Sequence, residues 1–304
     1  MAAIRGRSTP ESRPSSLPRK SKLAGRRYTS QPATRALTPT GGFLRGFAYS
    51  LNPYVGCGFG AGGGCPFCYV RMLPIAHAQQ GGWGEWVIAK SNLADLLEKE
   101  LGALERAGRL DAVTVFMSSA TDPYQGIERR LELSRRALER FRRYRIRRLL
   151  VQTRSPMVER DIDLLRALSG SLIVSITLET DDESVRRAIT PTSSSVERRL
   201  LTCARLRAAG IFVQVAIAPM MPNHPARFAE MVAKVSDRVV LDTYFDGDGA
   251  SGRRSRALGM GELYDRLGYA RWFQPGAERE LLATLQSRMG RDRVLFSRAG
   301  FNAV

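Results

Sequence analysis

Residues 112–124 read Ala112-Val113-Thr114-Val115-Phe116-Met117-Ser118-Ser119-Ala120-Thr121-Asp122-Pro123-Tyr124, an apolar, partly β-branched run that ends abruptly in small polar residues. The run has the length and composition of one buried strand, and the Ser, Thr, Asp and Pro behind it are residues that start turns and cap helices. The same pattern recurs along the chain. Further strands are expected at Arg148–Gln152, Leu172–Leu178, Ile211–Ile217 and Arg238–Thr243, with amphipathic helices at Ile127–Arg143, Val158–Leu168, Val196–Ala209 and Pro225–Val235. Gly210, directly before one strand, suits the stop of the helix that precedes it. One more short strand is expected near Phe47–Asn52, followed by a glycine-rich loop and a helix starting near Tyr69. Strands that alternate with helices imply parallel pairing through right-handed crossovers. The reading is therefore an α/β fold of six β/α repeats, a doubly wound sheet or a barrel, and either form puts its site at the C-terminal strand ends.

The chain has 304 residues, of which 43% are hydrophobic, enough for a substantial core. Its longest apolar runs, such as Ile211 to Met221, fall short of the ~18 residues a spanning helix needs, and no membrane association is expected. The first residues lack the apolar block of a secretory signal, so the expected location is cytoplasmic. Four cysteines without a regular framework argue against a disulfide scaffold. Lys and Arg number 47 against 29 Asp and Glu, a net charge of +18 that raises a polyanionic partner. Residues 1–42 hold nine of those cations against Glu11 alone and are broken by Pro10, Pro14, Pro18, Pro32 and Pro39. Such a segment buries too little apolar surface to offset its ordering entropy, so a disordered basic arm is expected there, able to tether nucleic acid. The expected organisation is that arm, a β/α unit over 43–245, and a C-terminal extension over 246–304. The extension holds a Gly/Arg-rich loop (Gly247 to Gly261), a helix near Ala277–Met289 and a strand at Val294–Phe296.

Three cysteines, Cys57, Cys65 and Cys68, sit in the glycine-rich loop with the spacing C-x7-C-x2-C. Glycines at 56, 58, 60 and 62–64 let the backbone reach positive φ and approach a bulky group closely. Three thiols around one centre in a reducing compartment indicate a metal. Two metals compete at this point. Zinc in a structural site takes four protein ligands, and His77 could complete the set. An iron–sulfur cluster held by three cysteines leaves one iron open for a substrate or cofactor. Cys203, inside a helical stretch, reads as a small core residue.

Taken together, these motifs resemble the radical S-adenosylmethionine (SAM) enzymes, in the branch similar to spore photoproduct lyase and the DNA repair photolyase-like proteins. The resemblance covers about residues 43–245. It is carried by Asn52-Pro53-Tyr54 before the first cysteine, Cys65 and Cys68 followed by Tyr69, Thr121-Asp122-Pro123-Tyr124-Gln125 with Glu128, Thr153-Arg154-Ser155, Val174-Ser175-Ile176-Thr177, and Ala218-Pro219-Met220-Met221-Pro222. It implies an open, partial (β/α)6 TIM-like barrel and a 4Fe-4S cluster on Cys57, Cys65 and Cys68, with S-adenosyl-L-methionine on the open iron. Reductive cleavage of the sulfonium would then yield a 5′-deoxyadenosyl radical that takes a hydrogen atom from substrate. By position, Phe67 would pack on adenine, Thr121 would meet the methionine amino group and Arg154 its carboxylate. Ser175, Thr177 and Glu179 would meet the ribose hydroxyls or the amino group, and Ile217 the adenine edge. A reductant such as flavodoxin or ferredoxin is the implied partner.

Two departures stand out. The family spacing is C-x3-C-x2-C, and this loop is longer by four residues, most simply Ala61 to Gly64, a glycine-rich insertion that can loop outward. Spore photoproduct lyases also carry a hydrogen-donating cysteine two residues before the hydroxyl of the Ser/Thr-Asp pair, and here Ser119 stands in that place. A serine O–H bond is too strong to return a hydrogen atom to a carbon radical, so efficient spore photoproduct lyase activity is not expected. The competing reading is a zinc-stabilised nucleic-acid-binding protein without catalysis, its cysteine loop structural and its basic arm the source of affinity.

Overall fold

The computed structural model describes residues 20–23, 26–59 and 65–303. The start of the expected basic arm and the glycine-rich insertion at 61–64 lie outside the described residues. Seven strands pair in parallel and in chain order: β1 (Tyr49–Leu51), β2 (Thr114–Met117), β3 (Arg148–Thr153), β4 (Leu172–Thr177), β5 (Val213–Ile217), β6 (Arg238–Leu241) and β7 (Val294–Phe296). Thr38–Pro39 adds an antiparallel edge to β1. Among the described residues the two edges of this sheet do not pair with each other, so the barrel is partial and open.

Alternation along each strand sorts side chains onto two faces. Val115, Leu149, Val174, Val215 and Val239 point outward into the main core under the helices. Phe116, Leu150, Ile173, Ala216 and Val240 point inward and form a separate apolar plug with Phe47 and Phe301. Two steps or more further along the same inward faces stand polar residues: Ser118 after β2, Gln152 and Arg154 on and after β3, Thr177 on β4 and Asp242 after β6. The strand ends thus change from an apolar floor to a polar rim, which is where a site forms in parallel β/α folds.

Several expectations are corrected. The arm expected to be disordered to residue 42 forms a strand over Arg26–Gln31, parallel to Trp86–Lys90. Tyr28, Ala36 and Leu37 are buried there, and the Glu100 carboxylate accepts the N–H groups of Ala36 and Leu37 at 2.9 and 2.7 Å. Composition could not anticipate this, because what holds the segment comes from residues 86–100. Trp86–Lys90 and the following helix Leu93–Arg106 had no counterpart in the sequence reading. Tyr54–Val55 completes this second sheet on the other edge of Trp86–Lys90.

The helix expected over Ile127–Arg143 is two, Glu128–Leu131 and Leu133–Arg143, broken at Glu132 with φ 52°. The buried Glu128 carboxylate folds back over the break and accepts the Ser134 N–H, so it caps the second helix. Around Tyr69 there are two 3-10 turns, Tyr69–Met72 and Pro74–His77, because Pro74 cannot continue the first. The C-terminal stretch is continuous with the barrel, since its strand β7 pairs with β6.

At Gly56 the chain has φ +89°, and an added Cβ would lie 2.3 Å from the Trp86 carbonyl oxygen. Gly56→Ala should therefore destabilise the fold by on the order of 1–3 kcal/mol, read as a lowered denaturant midpoint, whereas Gly108→Ala, at φ +64° in open space, should cost less.

Candidate active site

A cavity of about 270 Å³ opens at the C-terminal ends of the parallel strands. Its wall is built from the exits of β2 (Ser118 to Asp122), β3 (Gln152 to Arg154), β4 (Thr177), β5 (Ala218, Pro219) and β6 (Asp242 to Tyr244), and from Cys57, Cys65 and Cys68. Such convergence follows from parallel topology, since every strand ends at the same rim.

The cysteine loop reaches this rim because the segment after β2 holds it. Thr121 donates through Oγ1 to the Gly56 carbonyl at 2.6 Å, and the Gly58 N–H donates to Gln125 Oε1 at 2.7 Å. Tyr54 donates its hydroxyl to the Glu128 carboxylate, and Tyr69 donates to the Ser119 carbonyl at 2.7 Å. Asn52 Oδ1 accepts the Ala120 N–H at 3.1 Å. Asp122 then ties β2 to β3, accepting the Thr153 hydroxyl at 2.7 Å and the Arg154 N–H at 2.9 Å.

Arg154 reaches from the rim to the cysteines. Its Nη1 donates to Cys65 Sγ at 2.8 Å and to Ser193 Oγ at 3.3 Å, and its Nη2 lies 3.1 Å from Glu179 Oε1. Its guanidinium carbon is 6.0 Å from the centre of the Phe67 ring. Glu179 is fully buried and also accepts from Arg199 Nη1 at 2.7 Å, while the same nitrogen donates to the Thr177 carbonyl at 2.8 Å. An Arg–Glu–Arg chain thus runs from the core to the thiols with one net positive charge. Burial works against the charged Glu179 carboxylate, and the two arginines outweigh it, holding its pKa below the usual range.

Burial, with the neighbouring Cys65 next, pushes the Cys57 thiol up to about 12. Burial likewise carries Cys65 to about 11 against the opposing pull of Arg154, and raises Cys68. Without a bound cation these thiols keep their protons at neutral pH, so binding must displace protons as it forms bonds to sulfur. The three thiols share one cavity wall, yet among the described residues no three His, Cys, Asp or Glu side chains converge closely enough for a single metal ion. His77, the candidate fourth zinc ligand, is exposed and is not part of the wall. The arrangement fits a larger group held by three thiolates better than one tetrahedral ion.

Of the other residues singled out in the sequence, Phe67, Thr121, Arg154 and Thr177 line the cavity. Thr121 spends its hydroxyl proton on the Gly56 carbonyl, which makes it a fastener of the loop. Ser175 lies on the inward face two residues before Thr177, fully buried, and accepts from Gln214 Nε2 at 2.9 Å. Glu179 lies behind Arg154 and outside the wall. Ile217 points outward into the helix-side core, because inward-facing Ala216 and Ala218 flank it on β5. The sequence reading missed Gln125 as a fastener of the loop and Asp122 as the tie between β2 and β3, although both lie in the motif it quoted. It also missed Arg199, which reads as an ordinary helical arginine, and Asp242, whose only signal was its place at a strand end.

A family description, Radical SAM superfamily, matches residues 51–235. The chain belongs to the radical SAM superfamily. This radical SAM chain is 30% identical over 191 residues to an uncharacterized protein of Methanocaldococcus jannaschii, a match covering 63% of this chain and 66% of that one. It is 27% identical over 209 residues to an uncharacterized protein of Acidianus two-tailed virus, covering 65% of each. An uncharacterized Mycobacterium tuberculosis protein is 27% identical over 181 residues, covering 58% of this chain and 51% of that one. The chain thus spans less than two thirds of these relatives' lengths. Among solved structures, a spore photoproduct lyase complexed with dinucleoside spore photoproduct superposes with a TM-score of 0.61 at 13% identity, covering 88% of this chain and 81% of that one. A variant of that lyase with bound AdoMet and the same photoproduct gives 0.61 at 12% identity, with the same coverage. At such identities the likeness is one of fold. No helix among the described residues is long and apolar enough to cross a membrane.

Two measurements probe this radical SAM site. Arg199→Met strands the Glu179 carboxylate with less compensation, and the loss of a buried partner should cost about 3–5 kcal/mol in denaturant unfolding. Burial pushes the Asp242 carboxyl up to about 7, opposed by Ser297 and the Thr243 N–H and reinforced by Asp246 and Asp248. The folded chain then binds more protons than the unfolded one between pH about 4 and 7, so this group's contribution to stability falls as pH rises through that window. Asp242→Asn should remove its share of that fall, measured as unfolding midpoints at the two ends of the window.

Proposed function

We propose that this radical SAM enzyme holds a 4Fe-4S cluster on Cys57, Cys65 and Cys68, with S-adenosyl-L-methionine on the open iron, and takes a hydrogen atom from a nucleic-acid substrate. The observation that carries the reading is the convergence of three thiols and the Arg154 guanidinium on one cavity at the strand ends. When bound, the cluster would supply the one electron that breaks a sulfonium C–S bond of S-adenosyl-L-methionine, and the carbon radical released alongside methionine would take the hydrogen atom from substrate. Arg154 offers a charged, forked donor for a carboxylate, and Glu179 and Arg199 keep that fork aimed. Phe67 provides a flat apolar face beside the guanidinium for a ring such as adenine. Phe43, Leu44, Phe59, Phe116 and Phe301 line the rest of the cavity and keep water away from reactive carbon. A one-electron donor such as flavodoxin or ferredoxin is the partner this chemistry calls for.

The charge of the rim supports a polyanionic substrate. Arg45, Arg71, Arg254, Arg256 and Arg298 each lie within three residues of the cavity wall, and among the described residues none has an Asp or Glu within ion-pair reach. Unpaired arginines around an opening attract phosphates and release counterions on binding. Ser119 lies on the wall where a thiol would be needed to return a hydrogen atom, which separates the proposed reaction from spore photoproduct repair.

Anaerobic reconstitution should yield a brown protein with about four irons and four sulfides per chain, and alanine at any of Cys57, Cys65 or Cys68 should abolish it. Under strong reductant the loaded protein should convert S-adenosyl-L-methionine to 5′-deoxyadenosine, with label transferred from a deuterated oligonucleotide. A colourless protein holding one zinc, without this cleavage, would overturn the reading. Cleavage without label from any oligonucleotide would remove the nucleic-acid part alone.

A further inference from the structure

Asp242 is a buried carboxyl without a basic partner. It stands just past β6 on the inward face, is 4% exposed and lines the cavity. Among the described residues no Lys, Arg or His comes within ion-pair reach of it, whereas the other acids buried at this rim are paired or saturated: Glu179 by Arg154 and Arg199, Asp122 by three donors. Asp242 accepts one backbone donor, the Thr243 N–H at 2.9 Å. The Gly247 backbone packs closely against it on one side, since an added Cβ there would sit 2.3 Å from Asp242 Oδ2. Apart from the Thr243 N–H and the Ser297 hydroxyl the carboxyl has no partner among the described residues, and a buried carboxyl without a cation is costly, so its retention in a cavity marks a group with acceptor capacity left for a ligand.

The surroundings narrow what that partner is. The apolar plug supplies Phe116 and Phe301 to the wall, and Phe43 packs at 5.8 Å on Phe301 beside it. Aromatic rings on a cavity wall suit a flat apolar body. A cationic ligand is disfavoured by the arginines at the opening and by Arg154 inside the same cavity. Ser297, a hydrogen-bond partner of Asp242, and Ser118, elsewhere on the same cavity wall, both hold left-handed backbone, with φ of 45° and 75°. Strain of that kind is kept where surrounding structure enforces it, commonly at binding sites.

We propose that Asp242 is a substrate-binding residue, and that the group it receives is a neutral hydrogen-bond donor, an N–H or O–H, borne on a planar ring. This rests on the reading that the cavity is where substrate binds, and is independent of whether the cysteines hold a cluster. The carboxyl accepts that donor in place of water, and the phenylalanine faces hold the ring.

Ligand-observed NMR on the full chain without cofactors tests it, with uracil as the N–H probe, phenol as the O–H probe, and 1,3-dimethyluracil and anisole as their methyl-capped counterparts. At least one uncapped probe should bind about tenfold more tightly than its capped counterpart. Asp242→Leu should erase that preference, and Asp242→Asn, which keeps an acceptor oxygen, should retain part of it. Which uncapped probe wins assigns the donor as N–H or O–H. Equal binding of capped and uncapped probes, no binding of either uncapped probe, or a preference that survives in Asp242→Leu would overturn the proposal. Should the leucine variant fail to fold, the wild-type comparison of capped and uncapped probes still decides. Iron content of the reconstituted chain, measured separately, reports on the cluster reading and is unaffected by these outcomes.

Discussion

A glycine-rich loop cannot fold itself, and the site of this protein depends on that loop being held from outside. Glycine loses more conformational freedom on ordering than any other residue and brings no side chain to offset the loss. The offset comes from residues 119–128, whose side chains and carbonyls grip Gly56, Gly58, Tyr54 and Tyr69. Glu128 does double duty, receiving the Tyr54 hydroxyl and capping the helix that begins at Leu133. The cysteines are therefore placed by a segment that contains none of them.

Electrostatics inside the barrel follow a related logic. Charges removed from water are tolerated only when paired, and the chain Arg199–Glu179–Arg154 carries one net positive charge from the core to Cys65. The last arginine is aimed by the two residues behind it and by Asp122, which fixes its backbone. Replacing any one of these charged residues by an apolar residue would leave its buried partner less compensated and would also lose the aim. Their presence at the strand ends, above an apolar floor of Phe116, Leu150 and Ile173, reflects what the site must hold.

Much of this was legible in the residues. Arg148 starts β3, Leu172 starts β4, Pro225–Val235 is a helix as expected, and Val294–Phe296 is a strand. Period and composition suffice where an element buries its own apolar face. They fail where the stabilising partner is distant. The strand Arg26–Gln31 lies in a basic, proline-broken stretch and is held by Trp86–Lys90 and Glu100. The break at Glu132 depends on a carboxylate turning back onto the next helix. Ile217 was assigned to the site by motif, and strand alternation turned it to the other face.

The alternation of β and α elements from Thr114 onward, the three cysteines, and the polar residues at strand ends were set by sequence alone, because each is a local property of residue type and spacing. Which polar residues face the cavity, which serve only to hold the loop, and which carboxyl is left without a cationic partner were decided by tertiary structure. Those outcomes depend on contacts between residues 20 to 90 positions apart, such as Arg154 with Cys65 and Glu179 with Arg199. No local pattern encodes them, since an arginine in a helix looks the same whether it meets water or a buried glutamate.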